Sequence, residues 1–155
     1  MLNQDYIKAG KIAAEVREMV RVKDWIGKTV YEICEEVENE IKKRGAKCAF
    51  PVNASINEIA AHYTAEPNDP ITIKDTDLVK IDLGAQINGY IADTAVTVCY
   101  DVQFDGLVQA AEEALGSAMS MIKTGVKASD IGRTIESTIK QMGFKPIANL
   151  SGHSL

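Results

Sequence analysis

One stretch decides the fold, and it reads LVKIDLGAQINGYIADTAVTVC from Leu78 to Cys99. Two runs of β-forming residues flank the dipeptide Asn88-Gly89. Asn-Gly between such runs is the strongest local signal for a β-hairpin, because both residues of the tight turn must accept positive φ. The sequence therefore predicts two antiparallel strands joined by a two-residue turn.

The turn fixes which residues of the hairpin face each other. With a two-residue loop, Asp82 lies opposite Ala95 and Asp93 lies opposite Gly84. The two carboxylates then share one face of the sheet as diagonal neighbours, with Cα atoms roughly 7–8 Å apart. Aspartate is depleted in strands and like charges repel, so one or two divalent cations are the natural counter-charge. The alternative is that both side chains simply point into water.

The composition is that of a single soluble globular domain of 155 residues. Net charge is -5 with a pI near 5.1, which argues against nucleic acid as the main partner. The three cysteines, Cys34, Cys48 and Cys99, lack zinc-type spacing and suggest reduced thiols in the cytoplasm. We expect neither a secretory signal nor a membrane span.

Hydrophobic periodicity and glycine positions predict the remaining elements. Thr29 followed by Glu32 is a capping-box signature, and Gly45 is typical of a helix end. The third helix is expected to have an apolar side made of Leu107, Ala111, Ala114, Leu115 and Ala118. The predicted elements are two helices within the first ~45 residues, a strand near 47–52, a polar stretch to residue 64, the hairpin, helices over 104–122 and 129–142, and a strand near 145–149.

A weak internal repeat relates the last helices to the first. A shift of 98 residues aligns 27–47 with 125–145 and gives seven identities in 21 positions without a gap. We interpret residues 1–155 as a single truncated domain, in which 1–100 form the first repeat and 101–155 an incomplete second repeat. Either the chain is a fragment of a longer protein, which we favour, or another chain completes it.

The sequence has two histidines, His62 and His153. Taken singly, each is more typical of a surface or core position than of a site. His153 stands in a Gly/Ser turn, where an imidazole can reach a metal ion. One imidazole with several carboxylates would suit Mn, Fe, Co or Zn better than Ca or Mg.

Four blocks of the sequence together resemble the methionine aminopeptidases, specifically the type 2 group of archaea and eukaryotes. The blocks are FPVNASINEIAAHYT (50–64), KIDLG (80–84), IADTA (91–95) and NLSGHS (149–154). The resemblance implies the α+β "pita-bread" fold of the aminopeptidases and creatinases, with this chain forming the first half plus part of the second pseudo-symmetric half.

The resemblance also implies roles for individual residues. Asp82 would be a metal ligand, Asp93 a carboxylate that bridges two divalent ions (Co, Mn, Fe or Zn), and His153 the imidazole ligand. His62 would be catalytic and contact the substrate, and Phe50 would line the apolar pocket for methionine. Plain core packing is the alternative for Phe50. The family's remaining ligands would lie beyond residue 155.

The implied function is metal-dependent removal of the amino-terminal methionine from nascent proteins and peptides in the cytoplasm. The residues 1–155 would then be a truncated catalytic domain that is inactive alone. We expect neither nucleic acid nor a membrane as a partner. The open alternatives are a proline-specific peptidase of the same fold, a non-catalytic relative that binds peptide, protein or RNA, and a half-site protein that pairs with itself.

Overall fold

The computed structural model describes residues 3–153. One compact unit ends at Asp101 and a second begins at Val102. In chain order the elements are α1 (Gln4–Val22), α2 (Val30–Lys43), β1 (Lys47–Cys48), β2 (Asn53–Ile56), β3 (Leu78–Ile87), β4 (Tyr90–Cys99), a 3-10 turn (Val102–Phe104), α3 (Asp105–Met121) and α4 (Ala128–Gln141). None of the helices in 3–153 is long and apolar enough to cross a bilayer.

The predicted hairpin is present with the predicted register. Strands β3 and β4 pair over their full length, Asp82 faces Ala95, and Asp93 faces Gly84. Both turn residues have positive φ, 51° and 87°, as a tight turn matched to the twist of the strands requires. Local turn chemistry alone therefore sets the positions of the two aspartates.

Strand β3 lies at the centre of the sheet of the first unit. Strand β4 occupies one of its edges, while β1 and β2 follow each other along the other edge. The prediction of one strand over 47–52 is wrong, since pairing is interrupted after Cys48 and resumes at Asn53. Pro51 lies in this gap and has no amide hydrogen to donate to a ladder.

The two faces of this sheet differ in character. One face presents Val79, Ile81 and Leu83, which join the inner residues of both helices in a single buried core. The other face carries the alternate residues of β3, including Lys80 and Asp82. Helices α1 and α2 pack against the apolar face. The buried helix residues are Ala9, Ile12, Ala13, Val16 and Val20 of α1 and Val30, Ile33, Cys34, Val37 and Ile41 of α2.

Helix α2 begins and ends as its sequence predicts. The Thr29 hydroxyl accepts a hydrogen bond from the Glu32 amide at 3.1 Å, and the Glu32 carboxylate accepts one from the Thr29 amide at 2.8 Å. This reciprocal pair is the predicted capping box. At the other end, Gly45 has a φ of 83°, a conformation that glycine adopts without strain.

The second unit is a helical pair, and its details differ from the prediction. The buried residues of α3 are Ala110, Ala114 and Ala118, which confirms the prediction for Ala114 and Ala118, whereas the predicted Leu107 and Leu115 are 42% and 57% exposed. The expected strand near 145–149 is also wrong, because residues 102–153 include no strand. A strand needs a neighbouring backbone for pairing, and proline at position 146 cannot donate to one.

Helices α2 and α4 have matching bounds. Val30 and Ala128 lie 98 positions apart, and so do Lys43 and Gln141. Each helix is followed by a glycine with positive φ, 83° at Gly45 and 86° at Gly143. The internal duplication itself stays a prediction.

Cys34 lies inside the core of the first unit, and its burial yields a prediction about pH. Its thiol donates to the main-chain oxygen of Val52 at 3.3 Å, and burial raises the pKa of Cys34 from 9.0 to about 11. The unfolded chain therefore loses this proton first as pH rises, so the contribution to stability is complete below pH 9 and is lost as pH approaches 11.

We expect the urea midpoint to fall more steeply across this pH window in the native protein than in a Cys34→Ala variant. Taking the difference between the two proteins cancels the titration of tyrosines and lysines. Equal slopes for both would contradict the prediction. Iodoacetamide at pH 8 should also leave Cys34 unmodified until urea unfolds the chain, because the thiolate is the reactive form.

Candidate metal centre

The polar face of the hairpin brings the two aspartates together. Asp82 is half-buried and its Oδ1 atom is fully shielded from solvent, while Asp93 is exposed. Because Asp93 pairs with Gly84, two residues beyond Asp82 on β3, both side chains leave the sheet on the same side. This pair of carboxylates is the candidate acidic part of a metal site.

An aromatic ring lies beside them on the same face. An ideal Cβ built on Gly84 would lie 2.9 Å from Cδ1 of Phe50, closer still to Cε1, and 3.0 Å from Cβ of Ala49. The ring of Phe50 therefore occupies the space that any other residue at position 84 would fill. Glycine in a strand interior often marks such a close approach. Phe50 is half-buried, and its ring lies on the face of the sheet that carries the two carboxylates.

The same face carries a lysine whose ammonium is already engaged. Lys80 stands two residues before Asp82, and its Nζ donates to the main-chain oxygen of Asn57 at 2.7 Å. Burial lowers the pKa of Lys80, and the nearby Glu58 acts in the opposite direction. Lys80 thus ties the loop after β2 to the strand that carries Asp82.

His62 lies farther along that loop. It is exposed and has a φ of 66°, which is uncommon for a residue with a side chain. The next residue, Tyr63, accepts from the Ala54 amide at 2.9 Å and is therefore held against β2. Its hydroxyl donates to Asp69 at 2.6 Å, and this bond raises the pKa of Tyr63.

His153 belongs to the second unit, where it is exposed in the segment that follows α4. Within residues 3–153, no group of three or more histidine, cysteine, aspartate or glutamate side chains is arranged to hold a metal ion. The structure thus places Asp82 and Asp93 on one face of the hairpin, and the full ligand set, including His153, stays a prediction.

The donors present suit a divalent cation. Carboxylate oxygens are hard ligands, and two of them on one face of a half-buried sheet repel each other until a cation joins them. The shielded oxygen of Asp82 places one donor in a region of reduced solvent access, where such an attraction is stronger than in water. Asp82 and Asp93 could therefore serve as ligands of a bound ion.

Comparison with known sequences agrees with this chemistry. The sequence model described as metallopeptidase family M24 matches residues 4–155. The chain belongs to family M24. An M24 relative, the methionine aminopeptidase of Pyrococcus abyssi, is 51% identical over 149 residues, which are 96% of this chain and 50% of that protein. The chain thus spans about half the length of the first curated M24 relatives it matches.

Solved structures in the M24 group share the fold. The methionine aminopeptidase of Thermotoga maritima superposes with a TM-score of 0.87 at 30% identity, covering 99% of this chain and 66% of its own. The prolidase of Pyrococcus furiosus gives 0.80 at 27% identity, covering 90% and 42%. The α+β architecture described above is therefore that of the pita-bread aminopeptidases and prolidases. Membership in a metallopeptidase family implies dependence on divalent metal.

Three residues near the two aspartates make contacts that the sequence analysis above does not predict. Gly84 makes room for Phe50, and Lys80 and Asn57 join the loop after β2 to β3. A glycine inside a strand pattern is a visible signal for close approach. We find no comparable signal in the sequence for Asn57 or Lys80, because their partners are about twenty residues away along the chain.

Proposed function

We propose that the protein is a metal-dependent aminopeptidase that removes the amino-terminal methionine from nascent proteins and peptides in the cytoplasm. The observation that carries the proposal is the pair Asp82 and Asp93 beside the ring of Phe50, in an M24 chain that is 51% identical to a methionine aminopeptidase. The archaeal relatives support the type 2 group in particular.

Asp82 and Asp93 would hold the divalent ions, with His153 as a further ligand. Two ions of Co, Mn, Fe or Zn fit a set of carboxylates with one imidazole. When bound, such ions lower the pKa of water and polarise a carbonyl group. The remaining ligands would correspond to residues in the half of the relatives' sequences that this chain does not cover. We therefore expect residues 1–155 alone to be inactive.

Phe50 and His62, which are not proposed metal ligands, would bind and orient the peptide. The ring of Phe50 would offer an apolar wall beside the carboxylates, which suits the thioether side chain of methionine. His62 would donate a hydrogen bond to the substrate carbonyl oxygen as negative charge develops on it. Peptide amino termini are the proposed partners, with neither nucleic acid nor membrane.

The direct test measures cleavage of two kinds of peptide by the whole protein, supplied with Co, Mn, Fe or Zn ions. We expect release of methionine from Met-Ala-Ser and little cleavage of X-Pro dipeptides, because the proposed Phe50 wall contacts the first residue and does not recognise proline in the second position. Preferential X-Pro cleavage would favour a proline-specific peptidase, a candidate supported by the likeness to the prolidase. A whole protein that binds no divalent metal and cleaves neither peptide would indicate a non-catalytic relative.

A further inference from the structure

The loop that carries His62 leaves the sheet and returns to it. It starts where β2 ends, and it returns where Tyr63 accepts a hydrogen bond from Ala54 at 2.9 Å and donates one to the Ser55 hydroxyl at 3.3 Å. The return therefore holds the residue after His62 against β2. The position of the imidazole also depends on what holds the start of the loop.

Asn57 holds that start with all four of its hydrogen-bonding groups. Its amide donates to the Leu78 oxygen at 2.9 Å, and its Oδ1 accepts from the Leu78 amide at 2.9 Å. Its Nδ2 donates to Asp77 at 2.9 Å, and its own carbonyl accepts from the Lys80 ammonium at 2.7 Å. Every one of these partners lies within 77–80, immediately before Asp82 on the same chain segment.

The partner carboxylate is itself fixed. Asp77 is 6% exposed, its second carboxylate oxygen accepts from the Lys74 amide at 2.9 Å, and its main-chain oxygen accepts from Tyr100 at 3.1 Å. A buried carboxylate held by several donors has little freedom to move. Asn57 is therefore bound to a rigid part of the sheet.

The backbone conformation of Asn57 explains why asparagine suits this position. Its φ is 51°, in the left-handed region that asparagine enters more readily than most residues with a side chain. Glycine would accept the same backbone but would lack both side-chain bonds. Asparagine thus supplies the turn and the attachment together.

We infer that Asn57 is a positioning residue, which sets His62 in register with the strand that carries Asp82. This inference rests on the proposed function, because the register matters only if His62 and the aspartates act on one substrate. Asn57 acts through the His62 loop and touches neither the substrate nor a metal ion. A displacement near 1 Å at a reacting group can cost up to about 100-fold in rate.

The test uses Asn57→Gly in the whole metal-loaded protein, since glycine keeps the left-handed backbone. We expect kcat for Met-Ala-Ser to fall at least ~10-fold while KM and bound metal change less than ~2-fold, because substrate binding and the aspartates are retained. In a His62→Ala background the same change should have little further effect on kcat, because the two residues act as one unit.

Asn68→Gly is the matched control, because Asn68 is another exposed asparagine with a φ of 67°. It should leave kcat unchanged. If Asn57→Gly lowers kcat equally with and without His62, or does not lower it, the inference is wrong.

A second measurement separates this inference from the proposed function. The chain has only two histidines, so their imidazole NMR signals can be assigned by substitution. Asn57→Gly should shift the His62 signals and leave those of His153 in place. If the native protein cleaves no peptide, the proposed function fails while this result still supports the attachment. Unchanged His62 signals would overturn it.

Discussion

Replacing Asp93 with asparagine is expected to abolish metal-dependent cleavage in the whole protein. The substitution keeps the size of the side chain but removes the charge that would draw a cation to the polar face of the hairpin. We expect kcat/KM for Met-Ala-Ser to fall at least ~100-fold, equivalent to about 2.7 kcal/mol of transition-state stabilisation. Asp82→Asn should have a comparable effect, because both carboxylates are needed to hold the ions.

Metal content by mass spectrometry and peptide hydrolysis should be measured on the same preparations. Asp75→Asn is a matched control, because Asp75 is an exposed aspartate in the turn before β3, away from the paired residues. It should retain full metal content and rate. Normal turnover by Asp82→Asn or Asp93→Asn would refute the assignment of these residues as ligands.

Replacing Gly84 with alanine is expected to disturb both stability and substrate selection. The new Cβ would overlap the ring of Phe50 and press on Ala49 at 3.0 Å, so the ring must leave its place on the strand. Overpacking of this kind typically costs about 1–3 kcal/mol in the free energy of unfolding. Because Phe50 forms the proposed apolar wall, the preference for methionine over smaller first residues should also weaken.

Urea unfolding and kcat/KM for peptides that begin with methionine or alanine measure the two effects. Gly10→Ala in α1 is the control, since its Cβ would meet nothing within 4 Å, and it should stabilise the protein by up to ~1 kcal/mol. Adding Phe50→Leu to Gly84→Ala should recover part of the lost stability if the ring is the cause. Unchanged stability and selectivity in Gly84→Ala would show that the ring does not depend on this contact.

Features set by neighbouring residues were predictable from the sequence. The hairpin register follows from the two-residue turn, and the start of α2 follows from Thr29 and Glu32. The split of the outer strand into β1 and β2 was not predictable, because it depends on which parts of β3 find a partner. The exposed Leu107 and Leu115 show that an apolar stripe does not by itself tell which side of a helix is covered.

The same division applies to the site. The register set by the two-residue turn predicts that Asp82 and Asp93 share one face, and the structure confirms this. The contact between Phe50 and Gly84 and the attachment of Asn57 to 77–80 involve residues 34 and about 20 positions apart. No period or local motif encodes such pairings. They follow from packing, which only the folded chain determines.

The alternation of polar and apolar faces along β3 and β4 limits how the gene can vary. Inserting or deleting one codon inside either strand would invert the side chains beyond that point, turning a carboxylate toward the helices and an aliphatic residue toward the solvent. Length differences among descendants of this gene should therefore accumulate in loops such as 65–76, while Leu78–Cys99 keeps a constant number of residues.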